Sequence, residues 1–143
     1  LLVAPMFMPR GRRDIYLPAG GWYDFWSDRR FDGARWITYD AELETLPLFV
    51  RAGAVLPMGP ELQSANERAW DPLTFEIYPG DLGRTELDVT DDRRRLRFTL
   101  TVSGQTVLLE GGPLDYAPVV RIHRPDGVPI ETRLGERIQL SQS

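Results

Sequence analysis

Four kinds of residue in this chain could do chemistry. Trp22, Trp26 and Trp36, with Tyr23 among them, could stack on a sugar, because a rigid aromatic face has little entropy to lose on binding. Trp22 and Trp26 alternate with Tyr23 and Phe25, however, so both faces of that stretch are apolar, and packing between sheets or against a neighbouring domain is the preferred reading. Asp24, Asp28 and Asp32 recur every fourth residue and could converge on calcium, which takes six to eight oxygens. They match no EF-hand loop, and turns use aspartate for local hydrogen bonds, so turn chemistry is preferred for them and for Asp88, Asp91 and Asp92. Arg93, Arg94, Arg95 and Arg97 could meet phosphate or an acidic partner. Beside Asp91 and Asp92, in a chain of net charge −4, they read better as a solvated strand face paired with those aspartates, which could also guard an edge strand. His123 is the only histidine and hence the only candidate for a His-dependent triad. The chain has no Gly-x-Ser-x-Gly elbow, and a surface histidine at a strand end is expected.

Composition closes other routes. There is no cysteine, which removes disulfides, thiolate nucleophiles and Cys-ligated zinc. All 17 basic residues are arginine, which removes Schiff-base chemistry and a P-loop lysine. The net charge of −4 argues against nucleic-acid binding. No apolar run approaches the roughly 20 residues of a membrane-spanning helix. No cofactor or metal is implied.

The elements that must position these residues read as β-strands. Among 143 residues, 13 glycines and 12 prolines punctuate short apolar stretches, the pattern of an all-β fold. Strands are expected at 1–7, 14–17, 22–26, 35–39, 46–50 and 54–56, with Arg51-Ala52-Gly53 as a tight turn. A polar segment at 61–71, with room for one helical turn before Pro72, places a boundary near residue 70. Beyond it, strands are expected at 73–78, 85–89, 94–102, 105–110, 117–123 and 138–140. The alternation of Arg95, Arg97, Thr99 and Thr101 with Leu96, Phe98, Leu100 and Val102 marks one wet and one buried face. The expected architecture is two small antiparallel β-sandwiches, 1–70 and 71–143. The first should use Leu2, Val3, Ile15, Trp22, Phe25, Trp36, Ile37, Leu48, Val50 and Val55 in its core or in a face against another domain. The second should use Phe75, Ile77, Leu96, Phe98, Leu100, Val107, Leu109, Val120 and Ile122.

An ordered set of segments carries a resemblance. Leu1-Leu2-Val3-Ala4-Pro5, Tyr16-Leu17-Pro18-Ala19-Gly20-Gly21-Trp22-Tyr23-Asp24-Phe25-Trp26, Gly33-Ala34-Arg35-Trp36-Ile37, and Leu46-Pro47-Leu48-Phe49-Val50-Arg51-Ala52-Gly53-Ala54-Val55-Leu56-Pro57 follow one another. Together they resemble the segment after the catalytic barrel in glycoside hydrolase family 31, the α-glucosidases and α-xylosidases. Pro72-Leu73-Thr74-Phe75-Glu76-Ile77-Tyr78-Pro79-Gly80 resembles the opening of that family's distal β domain. Thr85–Arg93 departs from the aromatic strand and Glu-Asp-Asp-Gly run that often follow there. The resemblance implies a retaining parent enzyme whose two carboxylates, roughly 5 Å apart, lie on a barrel outside this chain. It carries no catalytic residue onto these positions.

The expected function is therefore a non-catalytic C-terminal region that supports the barrel, its main partner. The alternative is a carbohydrate-binding module using Trp22, Trp26 and Trp36. The chain is expected to begin inside a longer protein. Cut from its barrel, it should self-associate through 1–8 and 46–56. Cellular location is left open, with the cytoplasm favoured.

Overall fold

The computed structural model of the chain describes residues 1–5, 11–42, 44–60, 73–80, 84–90, 95–103, 106–111, 118–125, 128–133 and 138–139. All regular elements among them are strands: β1 (Leu2–Val3), β2 (Arg12–Leu17), β3 (Gly21–Asp24), β4 (Arg30–Asp32), β5 (Arg35–Asp40), β6 (Leu48–Arg51), β7 (Val55–Met58), β8 (Thr74–Ile77), β9 (Arg84–Thr90), β10 (Arg95–Ser103), β11 (Thr106–Gly111), β12 (Val119–Ile122), β13 (Ile130–Arg133) and β14 (Ile138–Gln139). The fold is all-β, as the punctuated apolar pattern predicts. The helical turn expected within 61–71 lies outside the described residues.

Two compact units share the chain. The first gathers Leu1–Ala54, Tyr78–Gly80 and His123–Val128; the second gathers Val55–Ile77, Asp81–Ile122 and Pro129–Ser143. The first unit pairs a four-stranded sheet, β1-β6-β3-β4, with the ribbon β2-β5. Its core draws from both: Ile15, Leu17 and Ile37 from the ribbon meet Trp22, Phe31 and Phe49 from the larger sheet. The ribbon shows why period-two alternation works. Ile15, Leu17 and Ile37 are buried, whereas Asp14, Tyr16, Trp36 and Thr38 face outward. The turn expected at Arg51-Ala52-Gly53 is closed by Ala54 N donating to Arg51 O at 3.0 Å. Gly53 sits there at φ 87°, a conformation that glycine alone takes without steric cost.

The second unit has sheets β13-β12-β8-β7 and β14-β11-β10-β9. Leu73, Phe75, Ile77, Phe98, Leu100, Val120 and Ile122 close its core, and Phe75 and Phe98 meet edge to face at 4.8 Å. The side chains of Leu96, Val107 and Leu109, expected in this core, lie outside the described residues.

Several expectations change here. Val55 belongs to the second core, because β7 pairs with β8 through Val55 opposite Ile77. The second sandwich is not wholly antiparallel: β8 and β12 run parallel, with Glu76 opposite Arg121. The strand expected over 22–26 stops at Asp24. Asp24 Oδ1 accepts from the Trp26 amide at 2.9 Å, and Asp28 N donates to Asp24 O at 2.9 Å, turning the chain. Trp22 and Trp26 therefore do not share a strand face. The arginine-bearing β10 is an interior strand between β9 and β11, so it guards no edge.

Candidate functional site

The sequence nominates three tryptophans, and the fold separates them. Trp22 is buried at 7% exposure, its Nε1 donating to Pro18 O at 2.8 Å, so its ring offers no face to a ligand. Trp26 is 56% exposed and its Nε1 donates to Leu46 O at 2.8 Å. Trp36 is 68% exposed and stands on the ribbon's outer face beside Tyr16, which the sequence does not single out.

Trp26 belongs to an apolar face built by backbone pairing. Val3 lies opposite Leu48 in the β1–β6 ladder, Ala4 N donates to Pro47 O at 3.0 Å, and Phe25 N donates to Leu48 O at 2.9 Å. These bonds gather Val3, Leu46, Leu48, Phe25 and Trp26 at one edge of the first unit's larger sheet. Leu1, Val3, Trp26 and Leu46 are all exposed there. Clustered exposed apolar side chains of this kind mark a surface that seeks cover. The expected apolar stretch at 46–56 needs correction in detail. Its central strand, β6, lies between β1 and β3, and Phe49 and Val50 are fully buried. Exposure falls instead on Leu46 and the edge strand β1.

The aspartates divide rather than converge. Asp24 is buried in the first core, with Oδ2 accepting from Tyr39 Oη at 2.5 Å. Asp28 turns back at φ 58° and places Oδ1 2.6 Å from His123 Nδ1. Asp32 is exposed. Among the described residues no three His, Cys, Asp or Glu side chains group around a cation position.

His123 corrects an expectation. It follows strand β12 as expected, but it is buried, with its ring flat on that of Tyr78 at 4.1 Å. Tyr78 in turn packs on Tyr23, whose hydroxyl donates to Pro79 O at 3.1 Å. The Asp28 contact that removes His123 from the surface comes from 95 residues away, beyond any local pattern. A carboxylate on an imidazole Nδ1 orients the ring. The Asp28 contact ties the third segment of the unit to the first, and the stack on Tyr78 ties it to the second.

Among the described residues, Asp88 receives two of the arginines, Arg95 Nη2 at 2.6 Å and Arg97 Nε at 3.0 Å. Hydrogen bonds from Arg97 and then Arg95 hold the exposed Asp88 carboxyl below its ordinary pKa. Asp91, Asp92, Arg93 and Arg94 lie outside the described residues. The sequence gives no sign of Arg121, which bridges Glu76 and Glu131, each at 2.7 Å, across three adjacent strands.

The Tyr39–Asp24 bond has a consequence in alkali. Burial first, then the hydrogen bond and charge of Asp24, raise the Tyr39 pKa above its ordinary 10.0. The folded chain thus holds this proton more tightly than the unfolded chain. The stabilisation is whole below pH ~10 and is lost as pH rises beyond it. Burial also raises Tyr23, so the wild type should lose stability in alkali through both phenols. Urea melts from pH 8 to 11 should show a flatter decline for Tyr39→Phe than for the wild type; parallel declines would refute the coupling.

Two sheet-paired units with aliphatic and aromatic cores, a buried polar tie in the first and an uncovered apolar edge define an all-β sandwich protein. Residues 1–56 match the glycosyl hydrolase family 31 C-terminal domain, and that segment belongs to the family's C-terminal region. An α-xylosidase of Saccharolobus solfataricus is 40% identical over 90 residues, covering 61% of this chain and 12% of the relative. An isomaltosyltransferase of Sporosarcina globispora is 40% identical over 101 residues, covering 64% of this chain and 9% of the relative. The crystal structure of a family 31 dextranase from Flavobacterium johnsoniae superposes with a TM-score of 0.72 at 30% identity, over 85% of this chain and 18% of the dextranase. The chain thus spans only about an eighth or less of the two curated relatives' lengths.

Proposed function

We propose that this chain is the non-catalytic C-terminal support of a family 31 α-glycosidase, and that its apolar edge packs against the parent's catalytic barrel. The observation that carries the reading is the exposed cluster of Val3, Leu46 and Trp26 inside the segment that matches the family's C-terminal domain. Apolar surface of this kind is costly in water and gains when a partner covers it. The parent would cleave α-glucosides or α-xylosides by a retaining mechanism. That mechanism requires two carboxylates flanking the scissile bond, and these would come from the barrel. The similar proteins named as a xylosidase, a transferase and a dextranase differ in substrate and reaction while sharing this region, which fits a role in support rather than in specificity.

Without the barrel, the same edge should find a second copy. In sedimentation experiments the isolated chain should associate with concentration, and Trp26→Asp with Leu46→Asp should weaken that association at least tenfold. A strictly monomeric wild-type chain at high concentration would count against a covered edge.

A further inference from the structure

We infer that the outer face of the β2–β5 ribbon binds an α-linked glucan chain, with Trp36 and Tyr16 as the stacking platform. The α-glycosidase reading enters only in choosing the linkage; the sugar itself follows from the face. Tyr16 and Trp36 are directly opposite in the ladder, 46% and 68% exposed, with ring centres 5.5 Å apart. Neither contributes to the core, which the ribbon closes with Ile15, Leu17 and Ile37 on its other side.

The next pair on the same face is Asp14 opposite Thr38, with Thr38 Oγ1 donating to Asp14 Oδ1 at 2.7 Å. Arg12 opposite Asp40 follows. Two exposed rings are thus continued, roughly 7 Å further along the strands, by a row of donors and acceptors. An apolar protein surface laid here would strip water from Asp14, Thr38, Arg12 and Asp40 and return no hydrogen bonds. A pyranose answers both halves: its C–H face lies on an aromatic ring, and its hydroxyls exchange bonds with the carboxylate and the threonine. Arg12 and Asp40 are of opposite sign, so nothing on the face selects an anionic polymer.

The geometry also chooses between glucans. The two ring planes are tilted by 57° to one another. A flat β-linked ribbon needs coplanar rings, whereas an α-linked chain turns between successive residues and can meet two inclined faces.

The test is native affinity electrophoresis of the 143-residue chain in gels containing dextran, glycogen or hydroxyethylcellulose. The wild type should be retarded by dextran or glycogen and not by hydroxyethylcellulose. Trp36→Ala and Tyr16→Ala should each weaken the retardation at least fivefold, whereas Trp26→Ala, exposed in the turn after β3 and away from the ribbon's outer face, should leave it unchanged. Circular dichroism melts check that each variant is folded. No retardation of the folded wild type, equal retardation by hydroxyethylcellulose, or an equal loss in Trp26→Ala would overturn the inference. Any of these would leave the glycosidase reading standing, because that reading is decided by hydrolysis in the longer polypeptide.

Discussion

Replacing Phe75 by alanine should cost about 3–5 kcal/mol, the usual range for emptying a buried phenylalanine site. Phe75 has no exposed surface and meets Phe98 edge to face at 4.8 Å, while Val120 lies opposite it in the parallel β8–β12 pair. The deletion removes the ring's transfer free energy and its aromatic contact, and leaves a void between two sheets. Single domains hold only about 5–15 kcal/mol in all, so most of the second unit's margin should go. Phe75→Leu, which keeps much of the volume, should cost less than half as much. Denaturant melts check both; similar small losses would mean that the two sheets do not share this core.

Asp24→Ala should be nearly as damaging, by about 2–4 kcal/mol, for a different reason. Its carboxylate serves two donors inside the first unit, the Tyr39 hydroxyl and the Trp26 amide. Removing it leaves both without their acceptor at a part-buried site, and orphaned buried groups cost about 1–3 kcal/mol each. Asp24→Asn keeps an oxygen for the Trp26 amide and presents an NH2 group to the tyrosine oxygen, so it should recover about half of the loss. Equal destabilisation by alanine and asparagine would show that charge, rather than hydrogen bonding, holds the turn.

These two residues mark what the sequence does and does not make legible. Phe75 announces itself: Leu73, Phe75 and Ile77 alternate with Thr74 and Glu76, and a strand with one buried face follows. The ribbon is nearly as plain, because Ile15 alternates with Asp14 and Tyr16, and Ile37 with Trp36 and Thr38. Alternation also puts Tyr16 and Trp36 on the outer side of their strands, but pairing them needs a register that no local pattern carries. Asp24 misleads for a physical reason. Alternation extends the strand through Trp26, while the aspartate's own side chain caps the Trp26 amide and ends it. The cluster Asp24-Phe25-Trp26-Ser27-Asp28 does hold turn-forming residues that could have signalled the break. His123 lies beyond reach altogether, since Asp28 and Tyr78 come to it only through the fold. The parallel pairing that aligns Arg121 with Glu76 is hidden in the same way. The apolar edge is legible as a composition and not as a place: the stretch from Leu46 to Leu56 is apolar apart from the turn at Arg51, yet only tertiary pairing decides that Leu46 is exposed and Phe49 is not.

The division of labour between this region and a barrel is tested most directly by hydrolysis. The purified chain and the longer polypeptide proposed to contain it would be assayed side by side on nitrophenyl α-glucoside and α-xyloside. Release at background by the folded chain, with turnover by the longer polypeptide, is the expected result; turnover by the chain alone would contradict it.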